Sequence, residues 1–435
     1  MLEKPTHTIS LIGQKGSGKS TLLGQLLYRM GYVFDEQLEE ISKTADQLGK
    51  PNCKYSFLVN TTRKERECAS SSQLSFRQVE TKNYFCNLID TPGMAVYMKK
   101  TIRALAISNT VIAVIDPREV EFERSINRFD GILRQYMFSS RVSNSQIICC
   151  VNLMDHPEVN YSEQVFVKTV SELSNILKRI GCRSPVDIIP ISGYCGDNIV
   201  EISDKTPWYE GKCLLDALNS LKPTANNLEQ SLRIPILDVK KISGVGTVVY
   251  GKVVAGILKM GSKIVLANSN IENARIEAIE SFGKRLEEAK SGQLVAINLR
   301  NVFHSSIKSG DVILEGGKST GIVTRFFEAC ILNIGHPNNI HPNYKPTIQV
   351  QATQATCKLV TIKKTTTPQG VLIENSPRFI KRNEFGVVEC ELDKACYLDK
   401  DVFCRFYFRD LRKVIGFGLI TRVGVEQPVE SESNK

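Results

Sequence analysis

Short apolar runs alternate with amphipathic stretches through the N-terminal half of the chain. The runs Ile9–Ile12, Phe85–Ile89, Val111–Ile115, Gln146–Val151 and Val186–Ile191 have strand length and read as buried strands. Between them Leu22–Met30, Lys99–Ala106, Ile126–Met137 and Glu163–Ile180 carry the spacing of helices with one apolar face. Strands alternating with helices predict an α/β domain built on a mostly parallel sheet covered on both sides. From about Leu232 the texture changes. Alternating runs at Gly246–Val254, Lys263–Ala267 and Leu294–Leu299 are punctuated by Ser243-Gly244, Met260-Gly261, Ser291-Gly292 and Ser309-Gly310, the rhythm of a small β-barrel. A second all-β stretch runs from about Gly321 to Val425, and a polar tail follows.

Composition narrows the class without naming a function. The 435 residues are enough for about three domains. The apolar content is that of an ordinary globular protein and no run has the length of a membrane-spanning helix. Met1–Pro5 holds no apolar signal region, so a cytoplasmic protein with no membrane partner is expected. Thirteen cysteines and five histidines are scattered without a C-x-x-C pair, which predicts reduced thiols and no zinc cluster. The net charge of +10 suits a phosphate-rich partner but does not choose one.

The chemistry is concentrated in the first domain. Gly13-Gln14-Lys15-Gly16-Ser17-Gly18-Lys19-Ser20 fits G-x-x-x-x-G-K-[ST], follows a predicted strand and opens a predicted helix at Thr21. Such a loop turns backbone N–H groups onto phosphates at a positive helix end. Lys19 is expected to reach the β- and γ-phosphates and the Ser20 hydroxyl to ligate Mg²⁺. Asp90-Thr91-Pro92-Gly93 follows the next strand, where a carboxylate can hold the metal and the Gly93 N–H can reach a γ-phosphate. Asn152-Leu153-Met154-Asp155 follows another. An aspartate there accepts two hydrogen bonds from guanine N1–H and N2–H₂, a pair adenine lacks, so the expected nucleotides are GTP and GDP. Ser192-Gly193 closes the series, with backbone N–H groups for guanine O6. Asn152, Met154, Asp155, Ser192 and Gly193 are therefore taken with the loop as nucleotide-binding residues.

With these elements the whole chain, from Thr6-His7 to about Val425, resembles the elongation factor 1-alpha family of translation GTPases. Lys54-Tyr55 with Arg66-Glu67 look like its first switch, and Pro207-Trp208-Tyr209-Glu210-Gly211 like the end of its G domain. Arg233-Ile234-Pro235 and Gly256-Ile257-Leu258-Lys259-Met260-Gly261 resemble its second domain, and Pro377-Arg378-Phe379 with Arg405-Phe406 its third. The resemblance implies a GTP-binding domain at residues 1–226, β-barrels at 227–322 and 323–427, and a polar tail at 428–435. It also implies a monomer whose partners are the ribosome, tRNA or a tRNA-mimicking protein, and a nucleotide-exchange factor.

The departures bear on function. The family histidine that positions the attacking water is Met94 here, and a thioether does not orient water for attack. The family's His, Val and Asp in the phosphate loop are Gln14, Lys15 and Gly16. Its metal-binding switch threonine aligns with Ser71, beside Ser70 and Ser72. The lysine of its guanine motif is Leu153, and the asparagine beside the aminoacyl end of tRNA is Leu294. In the third domain Gln351 and Gln354 stand where relatives have histidines. Two readings stay open: an elongation GTPase with slowed hydrolysis, and a GTP-binding pseudo-GTPase serving as a scaffold in termination or ribosome rescue. The basic segments Arg378–Arg382 and Arg409–Lys413 read equally as a phosphate-facing edge or as alternating barrel strands.

Overall fold

The computed structural model describes the chain except residues 1–3, 129–130, 141–144, 180–181, 183–184, 224–226, 317–320, 337, 351, 368–370, 400–403, 411–412 and 425–435. Gln351 and the polar tail therefore lie outside the described residues. The chain forms two compact units, Met1–Ala225 and Asn226–Lys435. No described helix is long and apolar enough to cross a membrane.

The first unit is an α/β domain on a six-stranded sheet. Its strands are β1 (Thr6–Ile12), β2 (Ser75–Glu80), β3 (Phe85–Asp90), β4 (Thr110–Ile115), β5 (Gln146–Val151) and β6 (Ile188–Pro190). They run in the order β2-β3-β1-β4-β5-β6, all parallel except the edge strand β2, which pairs antiparallel with β3. Every residue of β4 is buried, as expected of a central strand sandwiched between helices. The helices are α1 (Lys19–Arg29), α2 (Asp35–Gln47), α3 (Lys54–Val59), α4 (Arg63–Cys68), α5 (Met98–Ile107), α6 (Glu119–Phe122), α7 (Ile132–Ser140), α8 (Glu163–Arg179) and α9 (Leu214–Asn219). In α1 the pairs Leu22, Leu23 and Leu26, Leu27 recur one turn apart and are buried, which seats the helix on the sheet.

The single helix expected over Ile126–Met137 is not formed. After α6 the chain makes a π-turn at Glu123–Asn127, and α7 begins only at Ile132. Residues α2, α3, α4 and β2 are elements the apolar pattern did not announce. Only Leu38 and Ala45 of α2 are buried, too few to mark a face.

The second unit holds two closed β-barrels. The first comprises β7 (Arg233–Ile242), β8 (Gly246–Lys252), β9 (Ile257–Lys259), β10 (Lys263–Leu266), β11 (Ile271–Ser281), β12 (Lys284–Leu286), β13 (Glu288–Lys290), β14 (Leu294–Arg300) and β15 (Val312–Glu315). Its sheet order is β10-β15-β7-β8-β14-β11-β12, closed by β10 pairing with β11, and β9 pairs with β13 beside it. The second barrel comprises β16 (Ile322–Asn333), β17 (Thr347–Val350), β18 (Thr353–Thr366), β19 (Leu372–Asn375), β20 (Phe385–Leu398), β21 (Arg405–Asp410) and β22 (Lys413–Val423). It closes through β17 and β18. A buried ion pair joins the barrels, with Arg233 Nε 2.7 Å from Asp399 Oδ2. Asn268 Oδ1 also accepts from the Tyr397 N–H at 2.6 Å. Closure leaves few edges for a foreign strand.

Candidate functional site

All four predicted motifs leave the carboxyl ends of parallel strands: the phosphate loop from β1, Asp90–Gly93 from β3, Asn152–Asp155 from β5 and Ser192-Gly193 beyond β6. Open α/β sheets bind ligands at that end, where the chain switches from one side of the first strand to the other. Here β1 has β3 on one side and β4 on the other.

The loop's backbone is set by its neighbours. Gly16 and Gly18 take left-handed φ angles of 86° and 87°, which side chains other than glycine adopt at a cost. A Cβ on Gly18 would in addition collide with the Asn152 side chain. Asn152 is buried and acts as a clasp. Its Nδ2 donates to Ser17 O at 2.8 Å, and its Oδ1 accepts from the Gly193 N–H at 2.8 Å. Three motifs far apart in sequence are thus tied by one amide. Asp155, half-buried, accepts from Ser192 Oγ at 2.7 Å, and Ser192 Oγ accepts in turn from the Cys195 N–H at 2.9 Å. That serine holds the carboxylate that would read guanine. Leu153 adopts φ 62° to make the turn, while Met154 is fully buried. Met154 therefore supports the strand end and offers the site no side-chain surface. Thr21 continues α1 as a half-buried residue.

Lys19, Asp90, Ser20 and Ser71 come together at the loop's inner end. Lys19 Nζ donates to Gln14 O at 2.8 Å, and burial lowers its pKa to about 8 against the opposing pull of Asp90. Burial raises the Asp90 carboxyl above its ordinary range, with Lys19 and the two serine hydroxyls working in the other direction. Ser20 Oγ donates to Asp90 Oδ2 at 2.6 Å and lies 2.9 Å from Ser71 Oγ. Ser71 Oγ also reaches Asn60 Oδ1 at 2.9 Å. Among the three adjacent serines, Ser72 is directed elsewhere, its N–H and Oγ bonding Glu65 Oε1 at 2.7 and 3.1 Å. Asp90 Oδ1 is buried without a hydrogen-bond partner. An orphaned carboxylate oxygen beside two hydroxyls is an all-oxygen donor set, and it fits a small hard cation such as Mg²⁺.

The outer side of the loop is different. Gly93 packs against it so closely that a Cβ there would lie 2.6 Å from Lys15 N and 2.7 Å from Lys19 Nζ. Met94 follows, half-buried, and faces a cavity of about 600 Å³ shared with Gln14, Lys15, Arg118, Glu121 and Arg124. Gln14 Nε2 donates to Glu121 Oε2 at 2.8 Å. No histidine is among the described residues that line that cavity.

Asn60 and Glu65, which organise Ser71 and Ser72, carried no signal in the sequence, since neither belongs to a motif of its own. In the barrels Leu294 is buried at the start of β14, paired with Lys252 of β8. Gln354 is half-buried in β18. Arg378, Lys381 and Arg382 are exposed around a buried Ile380, whereas Arg409 is buried.

Comparison with known proteins agrees along the whole chain. The family model described as elongation factor Tu GTP binding domain matches residues 4–224. Elongation factor Tu domain 2 matches 246–314, and the GTP-eEF1A C-terminal domain-like model matches 326–421. Elongation factor 1-alpha of Aeropyrum pernix is 34% identical over 430 residues, covering 97% of this chain and 98% of the relative. That of Ignicoccus hospitalis is 33% identical, with 97% of each covered. Among solved structures, the GTPase-like domain of S. cerevisiae Ski7, bound to GDP and inorganic phosphate, superposes with a TM-score of 0.82. Its identity is 20%, with 96% of this chain and 97% of that one covered. Elongation factor SelB of Methanococcus maripaludis, in complex with a GTP analogue, gives 0.71 at 20% identity, with 97% and 80% covered. These two likenesses concern the fold.

Proposed function

The chain belongs to the elongation factor 1-alpha family of translation GTPases, and from that premise we propose that it binds GTP with Mg²⁺ and acts on the ribosome with slowed hydrolysis. The observation that carries the reading is that the phosphate loop, Asn152, Asp155 and Ser192-Gly193 come together while Met94 stands beside the loop. Lys19 and the loop N–H groups hold the phosphates. Asp155, kept in place by Ser192, selects guanine. Ser20, Ser71 and Asp90 would hold a magnesium ion, which would supply neutralisation of phosphate charge. Met94 neither accepts nor donates a proton, so water beside the γ-phosphate is left without a side chain to orient it.

The partners implied by the family are the ribosome and tRNA or a protein that mimics it, with an exchange factor to renew GTP. A second reading is favoured by Leu294. A buried leucine offers no polar contact to an aminoacyl end, which suits a GTP-state scaffold in termination or rescue better than a carrier of aminoacyl-tRNA. The decisive experiment is GTP affinity together with single-turnover hydrolysis, with and without ribosomes. Tight GTP binding and a slow rate on ribosomes are expected. A fast rate there would defeat the slowed-hydrolysis reading, and strong protection of an aminoacyl ester by the GTP form would defeat the scaffold.

A further inference from the structure

Among the described residues, the cavity outside the phosphate loop carries more positive than negative groups, and its acids Asp116 and Glu121 are engaged. Lys15 and three arginines line it against Asp116 and Glu121. Asp116 is held by Arg118, whose Nη2 lies 2.7 Å from Oδ2 and whose Nε lies 3.0 Å from Oδ1. Glu121 receives Gln14 Nε2 at 2.8 Å and has Arg124 at 4.0 Å. Lys15 is exposed to the cavity and makes no hydrogen bond or ion pair among the described residues.

Its position relative to the phosphates follows from Gly93. The backbone N of Lys15 and the ammonium of Lys19 both lie within 2.7 Å of the point where a Gly93 Cβ would be. Lys19 marks the β,γ end of the nucleotide in the reading above, so Lys15 leaves the loop beside that end. Its four-carbon stem is long enough to bring the ammonium back over the outermost phosphate and flexible enough to do so without moving the loop. The β-phosphate, deeper in the loop, is already enclosed by backbone N–H groups and Lys19.

We propose that Lys15 is the residue by which this chain distinguishes GTP from GDP, its ammonium binding the γ-phosphate from the cavity side of the loop. The inference rests on the GTP reading and adds the group that senses the third phosphate. Lys15 brings a full charge to the γ-phosphate where Met94 brings no group able to activate water. It favours occupancy by GTP.

The test is calorimetric titration of the full chain with GDP and with a non-hydrolysable GTP analogue. The loss of one charge-assisted hydrogen bond sets the scale. Lys15→Ala and the neutral, similarly sized Lys15→Gln should each weaken the analogue about tenfold, leaving GDP within about twofold, and Lys15→Arg should keep most of the preference. Unchanged GDP affinity also reports an intact loop. Equal losses for both nucleotides, or no loss for either, would overturn the assignment while leaving the GTP reading intact. If the unaltered chain binds neither nucleotide, the GTP reading itself fails and takes Lys15 with it.

Discussion

The two sides of the phosphate loop have been treated differently. On the inner side, Asn152, Lys19, Ser20, Asp90, Asp155 and Ser192 are buried or half-buried and joined by short hydrogen bonds. On the outer side, Gln14, Lys15, Gly16 and Met94 replace the residues the family carries, and the cavity there is open and cationic. A change on the inner side disturbs several segments at once, because one amide or carboxylate serves each of them. On the outer side the contacts are fewer, Gln14 meeting Glu121 and Lys19 while Lys15 makes no hydrogen bond among the described residues. In the proposed reading the inner side serves nucleotide binding, and the position of Met94 on the outer side bears on hydrolysis, so the two properties should respond to different substitutions.

That contrast can be broken in three ways. The largest effect belongs to the inner side. Lys19→Ala should lower GTP affinity by about 10³-fold, the loss of two hydrogen bonds to charged groups at ~2 kcal/mol each. Calorimetry giving an unchanged affinity would refute the phosphate-loop assignment. Next comes the outer side, where Met94→His should raise single-turnover hydrolysis on ribosomes about 10²-fold, the scale of one proton-handling group. It should leave GTP affinity nearly unaltered, and a parallel fall in affinity would show the two sides to be coupled. The smallest effect is a protonic one. Lys19 is neutralised as pH rises through about 8, and a bound polyanion favours its charged form. GTP binding should thus take up protons above that pH and weaken by up to about tenfold per unit. Titrations in two buffers of different ionisation enthalpy measure the uptake directly, and its absence would place the charge elsewhere.

The inner side was almost wholly legible in the sequence because its residues sit in motifs of fixed spacing at the ends of apolar strands. The strand β4 and the leucine pairs of α1 show the same legibility in the core. The switch segment was not legible. The helix α2 buries only Leu38 and Ala45, and α3 and α4 have six residues each, too few for a period to emerge. The choice of Ser71 among three serines depends on Asn60 and Glu65, whose influence is a matter of folded geometry. Likewise, Gly131 just before α7 lies so close to Ser125 that a Cβ would meet its backbone. A helical apolar pattern carries no trace of that. The barrels could be recognised by texture, whereas the Arg233–Asp399 pair between them joins residues 166 apart and no local pattern announces it.

The Asn152 clasp has a consequence for the order in which the protein comes into being. The amide joins Ser17 to a residue 135 positions later, and Gly193 joins it after a further 41. A growing chain that has completed the phosphate loop, and even the aspartate of the second motif, still lacks the donor that fixes the clasp's oxygen. Contacts of such long sequence separation are slow to close and form only when both ends exist. The loop precedes both of its partners in the chain, so it stays untied until the segment after the last strand of its sheet has followed. A product cut short before Gly193 carries the phosphate motif as sequence without the N–H group that fixes the clasp.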